Sequence, residues 1–387
     1  MEEVVSPKLR VLMLGLRGVP GVQGGIEKHV EQLCPLLVER GCEVEVVARA
    51  PYQPAAHGSN WRGVRLLPLW APRSKNLETI VHTALGVLYA GVRRPDVLHI
   101  HAVGPALMVP LARALGLKVV VTHHGPDYER PKFGRLARWA LRCGESWGMR
   151  WASARIAVSR TIQERVRERY GCEVHRIPNG VRVPPVSQQT DALEPFGLQP
   201  GRYVLMVGRL DSGKRQLDLI RAFKQARLKG WKLALVGGAE YSDSYTEAIE
   251  AAAHAPGIVM TGFQGGQTLE QLFRHAGMFV FPSSHEGLPI ALLEALSYGL
   301  RVIASDIPAN LEIGLPAQHY FPLGNVEVLA ERMREFAERP LTEGEREEYR
   351  QWVASRYDWN DIALETCAVY EGLTKKSLTA GKRIATS

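Results

Sequence analysis

Residues 278–304 read MFVFPSSHEGLPIALLEALSYGLRVIA. The apolar run Met278–Phe281 predicts a buried strand, the stretch Pro289–Tyr298 a helix, and Arg301–Ala304 a second strand. A strand, a helix and a strand in this order form the unit that joins parallel strands of one sheet. The strands are continuous apolar runs rather than strict alternations, as is typical of strands buried on both faces. This stretch therefore predicts an α/β fold in which helices cover a parallel sheet.

The same alternation of apolar runs and helical stretches continues along the rest of the chain. Further strands are predicted at Val11–Leu16, Val44–Ala48, Val64–Leu69, Asp96–His101, Lys118–Thr122, Arg155–Val158, Tyr203–Val207, Lys232–Val236 and Ile258–Met260. Helices are predicted at Ala106–Leu115 and Gln216–Arg227. The proline-rich, polar stretch Val183–Thr190 cannot hold a helix and predicts a linker. The pattern therefore predicts two doubly wound domains with a cleft between them. Ligands are expected to bind at the carboxyl ends of the strands.

Composition excludes several classes of protein. A chain of 387 residues is long enough for two or three domains of roughly 150 residues each. Its 45% hydrophobic and 23% charged residues are a globular balance, unlike that of a disordered or collagen-like chain. No apolar stretch reaches the roughly 18 residues of a membrane span, and the opening Met-Glu-Glu predicts no secretory signal. The five cysteines form no CxxC pair, which predicts a reduced cytoplasmic protein without a candidate metal site.

The charge is unevenly distributed. Residues 1–190 carry 27 Lys and Arg against 15 Asp and Glu, a net charge of +12, whereas residues 191–387 carry 21 against 25, or −4. Such asymmetry favours an anionic partner for the first half: nucleic acid, an acidic membrane or a phosphorylated substrate. An arginine-rich composition without functional meaning is the alternative.

A glycine-rich loop, Gly15–Glu27, follows the first predicted strand and precedes a helix. Its glycines, above all Gly24 and Gly25, would let backbone amides approach an anion at the helix start. The spacing is not G-x-G-x-x-G, and no acidic residue clearly ends the second strand, so a nicotinamide or flavin enzyme is disfavoured. A purely structural loop is the alternative.

A second glycine motif, Gly208–Lys214, fits the G-x-x-x-x-G-K pattern of a P-loop. The next residue is Arg215, whereas a P-loop needs Ser or Thr there to ligate magnesium, so nucleotide hydrolysis is disfavoured. Arg209 and Lys214 remain as cations at a strand end that suit a diphosphate.

Two carboxylates stand out in the quoted stretch. Glu286 lies in the loop after a strand, and Glu294 lies near the start of the following helix. Pro289 suits the first turn of that helix, and the amides from Gly287 to Ile290 would face an anion. Glu294 is placed to accept hydrogen bonds from ribose hydroxyls and Glu286 to meet a sugar ring. Glutamates on a solvated helix are the alternative.

At this point the chain resembles a known family, the retaining nucleotide-sugar glycosyltransferases of the GT-B fold, family four. The resemblance is carried by EGLPIALLEA with Glu286 and Glu294, by Gly208-Arg209 and Lys214 upstream, and by three further motifs. These are Gly24-Gly25 before a helix, Thr122-His123-His124-Gly125 and Pro178-Asn179-Gly180-Val181. The likeness spans residues 9 to about 375, and the loop around Arg17–Glu27 is similar to that of bacterial members that build surface polysaccharides.

The resemblance implies a role for each matching residue. Arg209 and Lys214 would hold the donor diphosphate, Glu294 the ribose and Glu286 the donor sugar. The backbone at Gly24, Gly25, Gly287, Leu288, Pro289 and Ile290 would complete the phosphate cradle. His124 matches the position beside the reactive carbon of the sugar, His123 is the less favoured neighbour, and His101 would support the same site.

The resemblance also implies the domain roles and the chemistry. Residues 1–185, joined by a crossover helix at about 358–375, would form an acceptor-binding Rossmann-like domain, and residues 200–357 the donor-binding one. Transfer would be retaining and independent of metal or other cofactor, with a UDP-sugar as the leading donor. A same-fold epimerase or hydrolase, or a non-catalytic sugar-nucleotide-binding subunit, stays open as an alternative.

The stretch 130–176 carries twelve Lys and Arg against four Asp and Glu. Its cations Lys132, Arg135, Arg138, Arg142 and Arg150 are interleaved with Phe133, Trp139, Trp147 and Trp151. Basic residues with tryptophans suit an anionic membrane surface, which would place the protein on the inner face of the cell membrane near a polyprenyl-linked acceptor. A solvated helix with its tryptophans in the core is the alternative. Nucleic acid is disfavoured because no recognised module accompanies the stretch.

Overall fold

Two compact units divide the chain. The computed structural model describes residues 8–53, 58–74, 77–130, 133–239 and 242–384, with side chains up to residue 374. Met1–Asn179 together with Trp359–Ser387 form the N-terminal unit, and Gly180–Asp358 form the C-terminal unit. Each unit has its own parallel sheet and its own apolar core. The predicted α/β class, with two doubly wound domains, is confirmed.

The sheet of the N-terminal unit has eight strands in the order β3-β4-β2-β1-β5-β6-β7-β8. Its strands are β1 Arg10–Leu14, β2 Glu43–Arg49, β3 Asn60–Trp61, β4 Val64–Leu69, β5 Val97–His101, β6 Val119–His123, β7 Ala154–Ala157 and β8 His175–Arg176. All neighbours pair in parallel except β3 and β4. The order reverses between β1 and β5, so the loops after β1, β5 and β6 begin side by side at the carboxyl edge.

Helices cover this sheet on both faces. They are α1 Gly25–Glu39, α2 Glu78–Arg93, α3 Val109–Ala114, α4 Arg135–Trp151, α5 Arg160–Tyr170 and, after the chain returns from the other unit, α13 Trp359–Ile384. The apolar face of α13 packs on α1, and both its Trp359 and its Tyr370 are buried in the core. None of the helices in the described part of the chain is both long and apolar enough to cross a bilayer.

The C-terminal unit has a sheet of six strands, all parallel, in the order β11-β10-β9-β12-β13-β14. Its strands are β9 Tyr203–Val207, β10 Lys232–Val236, β11 Ile258–Gly262, β12 Met278–Phe281, β13 Val302–Ser305 and β14 Tyr320–Phe321. Its helices are α6 Gln216–Ala226, α7 Ser244–Ala253, α8 Gly266–Arg274, α9 Ile290–Ser297, α10 Pro308–Leu311, α11 Val326–Glu338 and α12 Glu343–Ala354. The switch in strand order places the ends of β9 and β12 next to each other.

Two local predictions need correction. The predicted helix Ala106–Leu115 is a 3₁₀ turn, Pro105–Met108, followed by α3, because Pro110 fits only the first turn of a new α-helix. Pro289 is the residue before α9 rather than its first helical residue, with an extended ψ of 102°. Its carbonyl oxygen accepts the amides of Leu292 and Leu293, so it still marks the helix start.

Candidate functional site

In the C-terminal unit, the loops after β9 and β12 bring Lys214 and Glu286 together. Lys214 Nζ donates to Glu286 Oε1 at 2.6 Å, and the two side chains are only 19% and 10% exposed. The ammonium also lies 4.9 Å from the ring centroid of Phe281, the last residue of β12. The two residues predicted from separate motifs therefore form one shielded ion pair at the carboxyl edge of the sheet.

Backbone hydrogen bonds fix the turn that carries Lys214. Asp211 Oδ1 accepts the amide of Gly213 at 2.9 Å, and the Gly213 carbonyl accepts the amide of Ser284 at 2.8 Å. The Ser284 hydroxyl donates to the same carbonyl at 3.1 Å. These bonds hold the loop after β9 against the loop after β12, so they fix the position of Lys214 relative to Glu286.

Arg215 follows Lys214 and separates this turn from a P-loop. It adopts a left-handed conformation with φ of 55°, and its Nε donates to Asp218 Oδ2 at 2.5 Å. Arg215 thus occupies the position of the magnesium-binding hydroxyl of a P-loop, and its side chain is paired with Asp218. Gln216 Nε2 donates to the carbonyl of Arg209 at 2.7 Å, which fixes the backbone of that predicted cation.

Helix α9 begins at Ile290, four residues after Glu286. Gly287, Leu288, Pro289 and Ile290 are buried, and Glu294 lies one turn into the helix on its partly exposed side. A helix leaves its first amides without intrahelical acceptors and carries a positive partial charge at this end. The structure therefore brings together, within one unit, Lys214, Glu286 and the helix start, with Glu294 one turn along that helix.

In the N-terminal unit, the glycine-rich loop is closed by an internal ion pair. Glu27 Oε1 accepts both the amide and the Nε of Arg17 at 3.1 Å, and Arg17 also donates to the carbonyl of Gln23. Burial by itself would raise the pKa of Glu27, but the charge and hydrogen bonds of Arg17 outweigh it and lower that pKa. A Cβ on Gly24 would lie 1.9 Å from Glu27 Oε2, so this pair requires glycine there. Gly25 begins α1 and has open space around it.

Four histidines cluster at the carboxyl ends of β5 and β6. His124 Nε2 lies 3.0 Å from His101 Nδ1, and the His101 ring stacks on His99 with centroids 4.2 Å apart. The ring of His29, from α1, lies 4.9 Å from that of His124, and His29 Nδ1 lies 2.9 Å from Asn179 Oδ1. Burial lowers the pKa of His29 to about 4 and that of His99 to about 3, and lowers the pKa values of the other two. The cluster is therefore neutral at pH 7.

His123 has a different environment from its neighbour. Its Nε2 donates to Glu145 Oε1 at 2.9 Å, and its Nδ1 accepts the amide of Gly125 at 3.1 Å. Glu145 also accepts the hydroxyls of Tyr128 at 3.0 Å and Tyr170 at 2.6 Å. Burial would raise the pKa of Glu145, but its hydrogen bonds, the one from His123 foremost, lower that pKa to about 2. His123 therefore anchors the turn that carries His124.

Sequence reasoning missed His29, Glu145 and the role of Asn179. His29 lies one turn after Gly25 in α1, and a helix that starts at a predicted anion-binding loop directs its first turns towards the site. Asn179 belongs to the motif Pro178-Asn179-Gly180-Val181, for which the sequence predicted no role. Glu145 carried no local signal, because its four partners, His123, Tyr128, Arg169 and Tyr170, lie 17 to 25 residues away along the chain.

The basic stretch is largely the helix α4. Gly144, Glu145, Gly148 and Met149 form its buried face. Leu136, Trp139 and Trp151 are 78%, 63% and 48% exposed, so at least these two tryptophans do not lie in the core. Arg135, Arg142 and Arg150 are exposed as well, whereas Lys132 lies outside the described residues. The helix thus presents cations and large apolar side chains to solvent together.

Comparison with known proteins gives the family. The model of Glycosyltransferase Family 4 matches residues 23–183, and that of Glycosyl transferases group 1 matches residues 191–357. Glycogen synthase of Mycobacterium tuberculosis is 27% identical over 94% of both chains. Phosphatidyl-myo-inositol mannosyltransferase of Mycobacterium leprae is 24% identical over 94% of this chain and 96% of its own.

A solved structure shares the fold. HepE from Anabaena, in complex with UDP-glucose, superposes with a TM-score of 0.76 at 17% identity, over 94% of this chain and 100% of its own. The predicted GT-B fold is confirmed by such neighbours. The two family models leave only seven residues, 184–190, unmatched between positions 23 and 357. The chain belongs to the family-four glycosyltransferases of the GT-B fold.

Proposed function

We propose that this glycosyltransferase moves a hexosyl unit from a nucleotide diphosphate sugar, with UDP as the leading base, to a hydroxyl of a glycan or lipid-linked precursor of the cell envelope. The observation that carries the proposal is the Lys214–Glu286 pair beside the start of α9. It combines a cation for a diphosphate with a carboxylate for sugar hydroxyls. The UDP-glucose bound by HepE, a protein of the same fold, supports the choice of donor.

Breaking the glycosyl–phosphate bond builds negative charge on the departing diphosphate. Lys214, Arg209 and the amides at the start of α9 would stabilise that charge, because preorganised donors in a shielded site need little rearrangement during the reaction. The amides at Gly24 and Gly25 are proposed to add to this phosphate cradle. Since these groups already supply positive charge, we propose transfer without a metal or other cofactor.

The remaining site residues are proposed to bind the two sugars. Glu294 would accept hydrogen bonds from the ribose and Glu286 from the hexose. His124 would contact the hexose near its reactive carbon; because its lowered pKa keeps the ring neutral, it would act there as a hydrogen-bonding group rather than a cation. We propose retention of anomeric configuration, with the leaving phosphate helping to deprotonate the acceptor hydroxyl.

The acceptor side of the proposal rests on α4. Exposed arginines beside exposed Trp139 and Trp151 suit the interface of an anionic membrane, where aromatic rings and basic side chains both gain free energy. We therefore propose a cytoplasmic enzyme that associates with the inner face of the membrane, where a polyprenyl-linked acceptor resides. The phosphatidylinositol acceptor in the name of the M. leprae relative supports this choice.

The test is transfer of a labelled hexose. UDP-, GDP- and ADP-sugars are incubated without added metal and with chelator, with polyprenyl-phosphate-linked and oligosaccharide acceptors, and the linkage of the product is read by NMR. One donor is expected to give an α-linked product, since the common donors are α-linked, and Glu286→Ala is expected to abolish it. Glu331→Ala, at an exposed residue of α11, is the matched control.

Other outcomes would overturn the proposal. An inverted product would contradict retention, and activity that disappears with the chelator would contradict metal independence. Turnover of the donor alone at the full rate would favour an epimerase or hydrolase. Donor binding without turnover on any acceptor, unaffected by Glu286→Ala, would favour a binding subunit.

A further inference from the structure

Three histidines from separate elements converge in the N-terminal unit. They are His29 of α1, His101 at the end of β5 and His124 just after β6, and one ring nitrogen of each lies within 4.8 Å of the other two. Among the described residues this is the one group of its kind. His29 and His101 are buried, whereas His124 is partly exposed.

The geometry of the closest pair suits a shared metal ion. His101 Nδ1 and His124 Nε2 lie 3.0 Å apart, with a single proton between them. In a tetrahedral zinc site the Zn–N distance is about 2.0–2.1 Å, which sets ligand nitrogens roughly 3.3–3.4 Å apart. An ion that replaces the proton therefore needs the two rings to separate by only a few tenths of an ångström.

The third histidine is oriented by an outer partner. His29 Nδ1 lies 2.9 Å from the side-chain oxygen of Asn179, and both groups are buried. Because this oxygen is an acceptor, Nδ1 holds the proton and Nε2 holds the free lone pair. A hydrogen bond from the far nitrogen of a ligating histidine to an oxygen is the arrangement found around protein metal ions.

One buried nitrogen in the cluster also has unused hydrogen-bonding capacity. His101 Nε2 is inaccessible to solvent and has no hydrogen-bond partner among the described residues. Because no donor or acceptor among the described residues holds Nε2, the tautomer is not fixed from that side, and Nδ1 can offer its lone pair to an ion while Nε2 keeps the proton. Imidazole nitrogens favour Zn²⁺, Co²⁺, Ni²⁺ and Cu²⁺ over Mg²⁺ and Ca²⁺, which prefer oxygen.

We propose that His29, His101 and His124 form a binding site for Zn²⁺, with the fourth coordination position open on the exposed side of His124. Occupation of the site takes the lone pair of His124, so Zn²⁺ acts as a reversible inhibitor of glycosyl transfer rather than as its cofactor. The inhibition rests on the proposed function, whereas the binding does not.

The binding test uses the full chain and Co²⁺ as a spectroscopic probe, followed by displacement with Zn²⁺. One equivalent of Co²⁺ is expected to give the visible absorption of tetrahedral cobalt without a thiolate charge-transfer band, and Zn²⁺ is expected to remove it. His29→Ala and His124→Gln are expected to weaken binding at least tenfold. Asn179→Ala, which leaves all three ligands, is expected to weaken it 10- to 100-fold. His175→Ala, at an exposed histidine of β8, is the control.

Several results would overturn the site. They are the absence of the cobalt spectrum, a spectrum with sulfur ligation from Cys34, Cys42 or Cys367, or unchanged affinity in the variants. Circular dichroism checks that each variant is folded. If the buried His29→Ala variant is unfolded, His124→Gln at the partly exposed position still decides the question.

The inhibition test follows transfer against Zn²⁺ concentration. Transfer by the wild type is expected to fall with rising Zn²⁺ and to recover with a chelator, and Asn179→Ala is expected to need at least ten times more Zn²⁺ for the same loss. Full activity with the site occupied would refute inhibition. If no transfer is found under any condition while the cobalt spectrum is present, the proposed function fails and the metal site stands.

Discussion

The site of the C-terminal unit is built on charged side chains, whereas the histidine cluster of the N-terminal unit is uncharged. In the C-terminal unit the charged side chains form a shielded ion pair, Lys214 with Glu286, beside the positive end of a helix. In the N-terminal unit the histidine cluster is held neutral by burial, and the charges of the glycine-rich loop, Arg17 and Glu27, pair with each other. Fixed charge suits a diphosphate, and neutral hydrogen-bonding rings suit a sugar or, as proposed, a metal ion. Under the proposed function, the two units would bind the charged and the uncharged parts of the donor with different chemistry.

The largest expected effect concerns the charged side of this comparison. Lys214→Met removes the ammonium while keeping most of the stem, and kcat is expected to fall about 100- to 1,000-fold, the usual effect of removing one preorganised donor. Steady-state kinetics with the active donor measures it. Lys229→Ala, at an exposed lysine of the same unit, is expected to leave the kinetics unchanged. A loss below tenfold in Lys214→Met would remove the diphosphate role.

Buried histidines are distributed unevenly between the two units, which predicts that the units differ in their stability towards acid. Among the described residues five are buried in the N-terminal unit, namely His29, His82, His99, His101 and His123, and one, His319, in the other. Burial lowers the pKa of His82 in the folded state to about 4. Between about pH 6.5 and pH 4 only the unfolded chain takes up this proton, so the folded state loses stability as the pH falls through that range. The contribution of His82 is about 3 kcal/mol.

Hydrogen exchange with chelator present, resolved by peptide, measures this effect in each unit at pH 7.5 and 4.5. The N-terminal unit is expected to lose more protection than the C-terminal unit, and His82→Leu is expected to reduce the difference. Equal loss in both units would show that the buried histidines do not set the acid stability.

The third prediction concerns Glu145. Glu145→Gln keeps an acceptor for His123 and Tyr128 but turns an amide donor towards the Tyr170 hydroxyl and the Arg169 guanidinium, and the free energy of unfolding is expected to fall by about 2 kcal/mol. Urea unfolding measures it. If Glu145 also positions the turn of His124, kcat falls while the KM for the donor changes little. The exposed Glu164→Gln is the control.

The smallest expected effect concerns the membrane face of α4. Arg135→Gln removes one exposed cation, and its binding to vesicles with anionic lipid is expected to weaken about fivefold, which corresponds to roughly 1 kcal/mol per basic residue. Arg135 lies at the positive end of the helix, so its loss should not destabilise α4. Arg202→Gln, exposed in the C-terminal unit, is expected to bind as the wild type does. Unchanged binding in Arg135→Gln would remove this residue from the surface.

The sequence predicted the strands well because buried parallel strands are short apolar runs between glycines and loops. Lys214 and Glu286 were predicted as well, since each belongs to a motif at a strand end and parallel strand ends meet at one edge. Their ion pair was not predicted, because 72 residues separate them. The histidine cluster was predicted only in part: His101 ends β5 and His124 directly follows the neighbouring β6, whereas His29 belongs to a helix. The position of Glu145 depends on tertiary packing that no local pattern records.

We propose that the charged site of the C-terminal unit binds the nucleotide part of the donor. Calorimetric titration of UDP, GDP and ADP and their sugars, without added metal, into the wild type, Glu294→Ala and the control Glu331→Ala tests it most directly. We predict that one nucleotide binds the wild type and the control alike and is lost in Glu294→Ala. Binding of no nucleotide, or equal binding in all three proteins, would contradict the claim.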